Sequence, residues 1–165
     1  MRVTNVERTR WGNYHDRTNS FDDTDDINAF IRIVKRNESL KEYIRSYVGK
    51  GNLQFVPHHF GKYSVDITLL RDGTPVADFD VERWSQWKDT WPEYYRHIHF
   101  LGRKEKFLQE ERPFFMVYLN FPRNECLIVE KETIQQYPTI TKTFKMKKVS
   151  DRVKEIPLSE GRRYK

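Results

Sequence analysis

Residues 63–84 read YSVDITLLRDGTPVADFDVERW, and this stretch decides the fold. Two runs rich in β-formers, 63–70 and 76–84, flank Arg71-Asp72-Gly73-Thr74-Pro75. Asp-Gly between such runs is a strong short-range signal for a β-hairpin. A three-residue loop with Arg71 facing Pro75 and Gly73 in the left-handed conformation places Asp66 opposite Asp80. Side chains on a strand alternate between faces, so Asp78, Asp80 and Glu82 share one face while Ala77, Phe79 and Val81 share the other. With Asp66, four carboxylates then crowd one side of one hairpin. Like charges directly opposite one another destabilise a sheet. Open solvent, basic side chains or a divalent cation must compensate.

The rest of the chain is long enough, at 165 residues, to bury a core around that hairpin. Hydrophobic residues make up 37%, below the usual globular share, but aromatic residues reach 15%, and each buries a large area. The formal charge of +6 favours an anionic partner such as nucleic acid. One cysteine, Cys126, excludes an intrachain disulfide and a cysteine-based zinc site, and fits a reducing cytoplasm. No apolar run reaches membrane-spanning length, and the first residues lack the apolar core of a secretory signal, so no membrane role is expected.

Upstream of the hairpin, residues 1–20 are polar and basic and read as an arm, with Trp11 and Tyr14 as anchors onto the domain or onto nucleic acid. Asp22-Asp23-Thr24-Asp25-Asp26 lacks the glycine and the distal glutamate of a calcium loop. Acidic residues before an amphipathic run suit a helix N-terminus, and a helix start is the expectation there. Ile27, Phe30, Ile31 and Val34, then Leu40, Tyr43, Ile44 and Tyr47, recur at helical spacing, with Asn37-Glu38-Ser39 as a possible break and Gly49 as the stop. Residues 53–60 read as an extended segment in which Pro57 marks a sheet edge or leaves a bulge. His58 and His59 point to opposite faces if extended, so at most one meets the carboxylates.

Downstream, an irregular segment with Trp87 and Trp91 leads to His97 and His99, which share a face if the backbone is extended. A basic helix is expected around residues 103–109, carrying Arg103, Lys104 and Lys106. PFFMVYLN, residues 113–120, is nearly all apolar, as a central strand covered on both faces would be. Residues 126–129 form a second short strand, 130–137 a short helix and 139–146 an edge strand. The remainder, 147–165, reads as a basic tail behind a single domain spanning 21–146. It is either solvated or, with Lys145, Lys147 and Lys148, in contact with phosphate.

A helix, a hairpin with Asp66 on its first strand and Asp80-x-Glu82 on its second, then a helix and further strands, resembles the PD-(D/E)XK nuclease superfamily over roughly residues 27–129. The resemblance implies a restriction-endonuclease-like α/β/α sandwich around a mixed sheet of four to five strands. Asp66 matches the first motif aspartate, and Asp80, between Phe79 and Val81, matches the second acid. Glu82 falls where lysine usually stands, and Val65 where proline usually does. In a second register Glu82 is the motif acid and Trp84 takes the lysine position. Lys104 could supply a migrated amine, ahead of Lys62 and Lys88.

The implied activity is hydrolysis of phosphodiester bonds, in DNA before RNA and by endonuclease action. Asp66, Asp80 and Glu82 would hold Mg²⁺, with Mn²⁺ as a substitute, and Lys104 would steady developing charge. Arg103, Lys106, Lys145, Lys147 and Lys148 would contact the nucleic acid, and a homodimer is the default assembly. The alternatives are a nuclease-like binding protein without turnover, or a structural protein of a virus or mobile element.

Overall fold

A computed structural model describes residues 14–58, 64–144 and 149–165, with side chains from residue 24 onward except at 149. His59, Lys62, Lys145, Lys147 and Lys148 lie outside the described residues, so the expectations placed on them have no structural counterpart here.

Helix α1 (Tyr14–Arg36) packs Ile27, Phe30, Ile33 and Val34 against the central sheet. It already runs through Asp22–Asp26, so the acidic cluster sits inside a helix and not at its start. Part of the supposed N-terminal arm is therefore helical. Asn37 breaks the chain where the sequence suggested. Its extended backbone, φ −110° and ψ 105°, lets its side chain accept the Leu40 N–H and cap α2 (Glu38–Val48). Leu40, Ile44 and Val48, one turn apart, form the buried stripe of α2.

The central sheet has six strands in the order β1 (Leu53–Pro57), β2 (Ile67–Arg71), β3 (Thr74–Arg83), β5 (Phe114–Leu119), β6 (Cys126–Glu130) and β9 (Arg162–Tyr164). Only β3 and β5 are parallel; every other neighbouring pair is antiparallel, so the sheet is mixed. Pro57 does lie on an edge strand. Phe114 to Leu119 are all buried, as a strand covered on both faces requires.

The hairpin turn is shorter than expected. Arg71 pairs with Thr74, leaving Asp72 (φ 50°) and Gly73 (φ 84°) as a two-residue turn with both residues left-handed. A β-bulge between Leu69 and Leu70 then shifts the register by one residue. Beyond it Thr68 faces Asp78 and Ile67 faces Phe79, the pairing that the longer loop would have given.

A second sheet of three antiparallel strands, β4 (His97–Leu101), β8 (Val149–Pro157) and β7 (Thr139–Phe144), covers the other face together with a 3-10 helix (Gly102–Gln109) and the short helix α3 (Lys131–Gln135). The fold is thus mixed α/β, with helices on one face of the sheet and mainly strands on the other. The expected count of four to five strands is exceeded because the C-terminal end is not a tail. Val153 and Ile156 of β8 are buried, and Arg162–Tyr164 extends the central sheet beside β6. Burial of only a few apolar residues suffices here, because β8 is held by neighbours on both sides.

The two faces of β3 separate cleanly. Ala77, Phe79 and Val81 join the helix-facing core, whereas Asp78, Asp80 and Glu82 point toward the second layer. Phe79 is the hub of the first core: its ring stacks on Phe115 at 5.0 Å and meets Phe30 at 5.4 Å and Phe55 at 5.7 Å. Phe79→Ala is expected to lower unfolding stability by about 3–5 kcal/mol in urea titrations. A loss below about 1 kcal/mol would place the core elsewhere.

Candidate active site

The acids of β3 are not on the surface. Asp78 and Asp80 are 4% and 6% exposed, buried where the strand passes beneath the second layer. A carboxylate so placed needs a partner, since an unpaired buried charge is prohibitively costly. Each finds one.

Lys104 supplies the partner for Asp80. Gly102 begins the 3-10 helix against the backbone of β8, where a Cβ would lie 2.9 Å from the Arg152 carbonyl oxygen. This close approach, open to glycine, lets the helix lie over β3. Lys104 Nζ then sits 2.8 Å from Asp80 Oδ2 and 3.4 Å from Glu82 Oε2. Burial opposes the charge on Lys104, but Asp80, Glu82 and Asp66 outweigh it and raise its pKa. The amine stays an ammonium at neutral pH. Glu82 is the outermost of the three, its side chain 34% exposed against 8% for Asp80.

Asp66 stands just before β2 and turns its side chain across the hairpin, where Oδ2 accepts the Val81 N–H at 2.8 Å. Its backbone carbonyl accepts the His58 N–H at 2.8 Å, which continues the β1–β2 ladder by one step. The structure therefore brings Asp66, Asp80, Glu82 and Lys104 together at one end of β3.

Asp78 is buried and fully engaged. Its Oδ1 accepts the Thr68 hydroxyl at 2.9 Å, and Arg112 reaches its Oδ2 at 3.2 Å. Because the Thr68 proton is committed to Asp78, Thr68 Oγ1 must accept from His58 Nε2–H, 2.8 Å away. This contact requires the hydrogen on Nε2 of His58. Sequence reasoning allowed one histidine of the pair to meet the carboxylates, and His58 does so through Thr68.

Other neighbours were not legible. Tyr118 lies beside Glu82 across the parallel pairing of β3 and β5, and its hydroxyl donates to the His99 carbonyl at 2.9 Å. Burial, then the charges of Glu82 and Asp80, push its phenol well above the ordinary range. His99 contacts Glu155 at 3.2 Å, and Lys142 contacts the same carboxylate at 2.7 Å. Burial holds the His99 imidazole below its usual range, against the pull of Glu155. These contacts all join separate strands, and no local pattern announces them. Arg103 and Lys106 are exposed on the 3-10 helix, outside the acid cluster, and Lys88 is exposed in the loop after β3.

Hard carboxylate oxygens suit Mg²⁺, which keeps several waters and commonly takes one or two protein carboxylates plus substrate phosphate. The acid cluster at the end of β3 supplies oxygens of that kind. It does not form a closed cage: among the described residues no three side chains of His, Cys, Asp or Glu are arranged to hold a metal by themselves.

If Lys104 is the charge partner that permits Asp80 to be buried, Lys104→Met lowers stability by about 3–5 kcal/mol. Adding Asp80→Leu to that chain should restore most of the loss. Simple additivity of the two single losses in denaturant titrations would contradict the pairing.

No protein-family profile and no curated protein matches the chain. Among solved structures, it is similar to a nuclease from a fusellovirus, at 17% identity and a TM-score of 0.42, over 75% of this chain and 77% of that one.

Proposed function

We propose that this protein is a metal-dependent nuclease that hydrolyses phosphodiester bonds, most readily in DNA, by endonuclease action. One observation carries the reading: a largely buried lysine ammonium lies 2.8 Å from one carboxylate and 3.4 Å from a second, both carboxylates belonging to the hairpin that resembles the PD-(D/E)XK motif. In this reading Lys104 stands in for the amine missing at position 82. Two carboxylates share that one ammonium, so the cluster keeps an excess of negative charge even before Asp66 is counted. A polyanion can approach such a site only if a further cation accompanies it.

In this reading Asp80 would hold Mg²⁺, or Mn²⁺ in its place, together with Asp66 or Glu82, and water and substrate phosphate would complete the shell. The ion, when bound, relieves charge on the phosphoryl oxygens and makes water more acidic. Lys104 contributes a fixed positive charge and N–H donors to the phosphate, already desolvated and needing little reorganisation. Glu82, more exposed than Asp80, accepts a proton from the attacking water. Asp78 does no chemistry; with Arg112 and Thr68 it fixes the register of the hairpin beside the site. Arg103 and Lys106, exposed next to Lys104, contact the flanking phosphates, which makes affinity fall with salt.

A second reading, a nuclease-like binding protein without turnover, draws support from the same ion pair, because Lys104 already neutralises Asp80. Cleavage of supercoiled plasmid separates the two. The wild type should nick and linearise it with Mg²⁺ and leave it intact with EDTA. Glu82→Gln should slow cleavage by about 10²–10⁴-fold, with little change in the unfolding midpoint. Cleavage that survives Asp80→Asn belongs to a contaminant, and salt-sensitive binding with no cleavage selects the second reading.

A further inference from the structure

Exposed aromatic rings mark a surface that the acid cluster does not explain. Three large hydrophobic residues are exposed among the described residues, and two of them, Tyr94 at 76% and Phe121 at 47%, sit at one end of the sheet. Tyr94 belongs to the loop that follows β3, and Phe121 to the turn that follows β5. These are the C-terminal ends of the parallel pair, where Glu82 and Arg83 lie opposite Tyr118 and Leu119.

A row of rings runs from Trp87 to Tyr94, and a backbone hydrogen bond ties Phe121 to its buried end. The Phe121 N–H donates to the Trp87 carbonyl at 2.6 Å. The Trp87 ring meets Trp91 at 5.1 Å, and Trp91 stacks on Trp84 at 5.2 Å. Trp84 meets Tyr95 at 5.5 Å, and Tyr95 meets Tyr94 at 4.7 Å. Trp84 and Trp87 are buried, so the exposed rings are mounted on a fixed base. The row also reaches the acid cluster, because Trp84 contacts Tyr118 at 6.0 Å and follows Glu82 by two residues.

Cations accompany it. The Arg83 guanidinium lies 4.8 Å from the centre of the Phe121 ring, and that of Arg163 lies 5.6 Å from Trp91. Lys88 and Arg96 are exposed in the same loop, against the exposed acids Asp89 and Glu93. The balance over these six side chains is positive. Exposed rings on a rigid base, beside guanidinium groups, are what unpaired nucleobases and their phosphates need. A base within a duplex offers no free face to such a ring.

We infer that this aromatic surface binds unpaired nucleotides, and that the substrate of the neighbouring site is single-stranded nucleic acid or a duplex with an unpaired segment. The part concerning substrate rests on the nuclease reading; the binding surface does not. Anisotropy titrations of the full chain in EDTA, with a labelled single-stranded oligonucleotide and its duplex, test the binding alone. The single strand should bind more tightly. Tyr94→Ala and Phe121→Ala should each weaken it by about tenfold, change duplex affinity less than twofold, and be rescued by Tyr94→Phe and Phe121→Tyr. Both positions are exposed, so the fold should tolerate the changes. Unchanged single-strand affinity in the double alanine variant overturns the inference and leaves the rings to a protein contact. A wild type that binds single strands through these rings but cuts nothing with Mg²⁺ overturns the nuclease reading and keeps the surface. A wild type that cuts, with alanine variants that bind as before, does the reverse.

Discussion

The Lys104–Asp80 ion pair is the contact on which the arrangement turns. Strand β3 carries acids on one face, and the fold buries that face beneath a second sheet instead of leaving it to water. Burial of Asp80 is tolerable only with a cation in contact, and Lys104 reaches it only because the chain crosses from β3 through β4 and the 3-10 helix before returning as β5. Gly102 allows that helix to touch the β8 backbone. The second sheet, the crossover and the acid strand are thus consequences of one another.

Much of this was legible because the signals are local. The period-two alternation of 76–82 placed three acids on one face, and the structure keeps them there. Asn37 and Gly49 marked helix ends through their own backbone preferences, and PFFMVYLN marked a strand covered twice. The hairpin loop was misjudged by one residue, yet the bulge at Leu69/Leu70 restored the pairing near the acids, so the turn error did not spread. The acidic run at Asp22–Asp26 misled for a related reason: negative charge favours a helix N-terminus but does not forbid a helix interior.

What escaped the sequence is non-local. Strand β8 reads as a basic tail because its apolar residues are few, and one of its two partners is β4, more than 45 residues earlier in the chain. Arg112 on Asp78, Tyr118 beside Glu82 and Glu155 on His99 likewise come from separate elements. The aromatic residues of the loop after β3 were visible as composition only. Their order as a row, with exposed Tyr94 at one end and Phe121 held by the backbone beside the other, is a product of packing at the C-terminal ends of the parallel strands, where α/β sheets commonly open toward ligands.

Crystals grown with Mn²⁺ and read by anomalous scattering test the central claim most directly. A manganese peak is expected in contact with Asp80 and at least one of Asp66 and Glu82, with the Lys104 ammonium still beside the cluster. A map with no peak there, at Mn²⁺ concentrations that occupy other carboxylates, and with the Lys104–Asp80 contact unchanged, would contradict it. The acid face of β3 would then be held together by its lysine alone, as a structural ion pair.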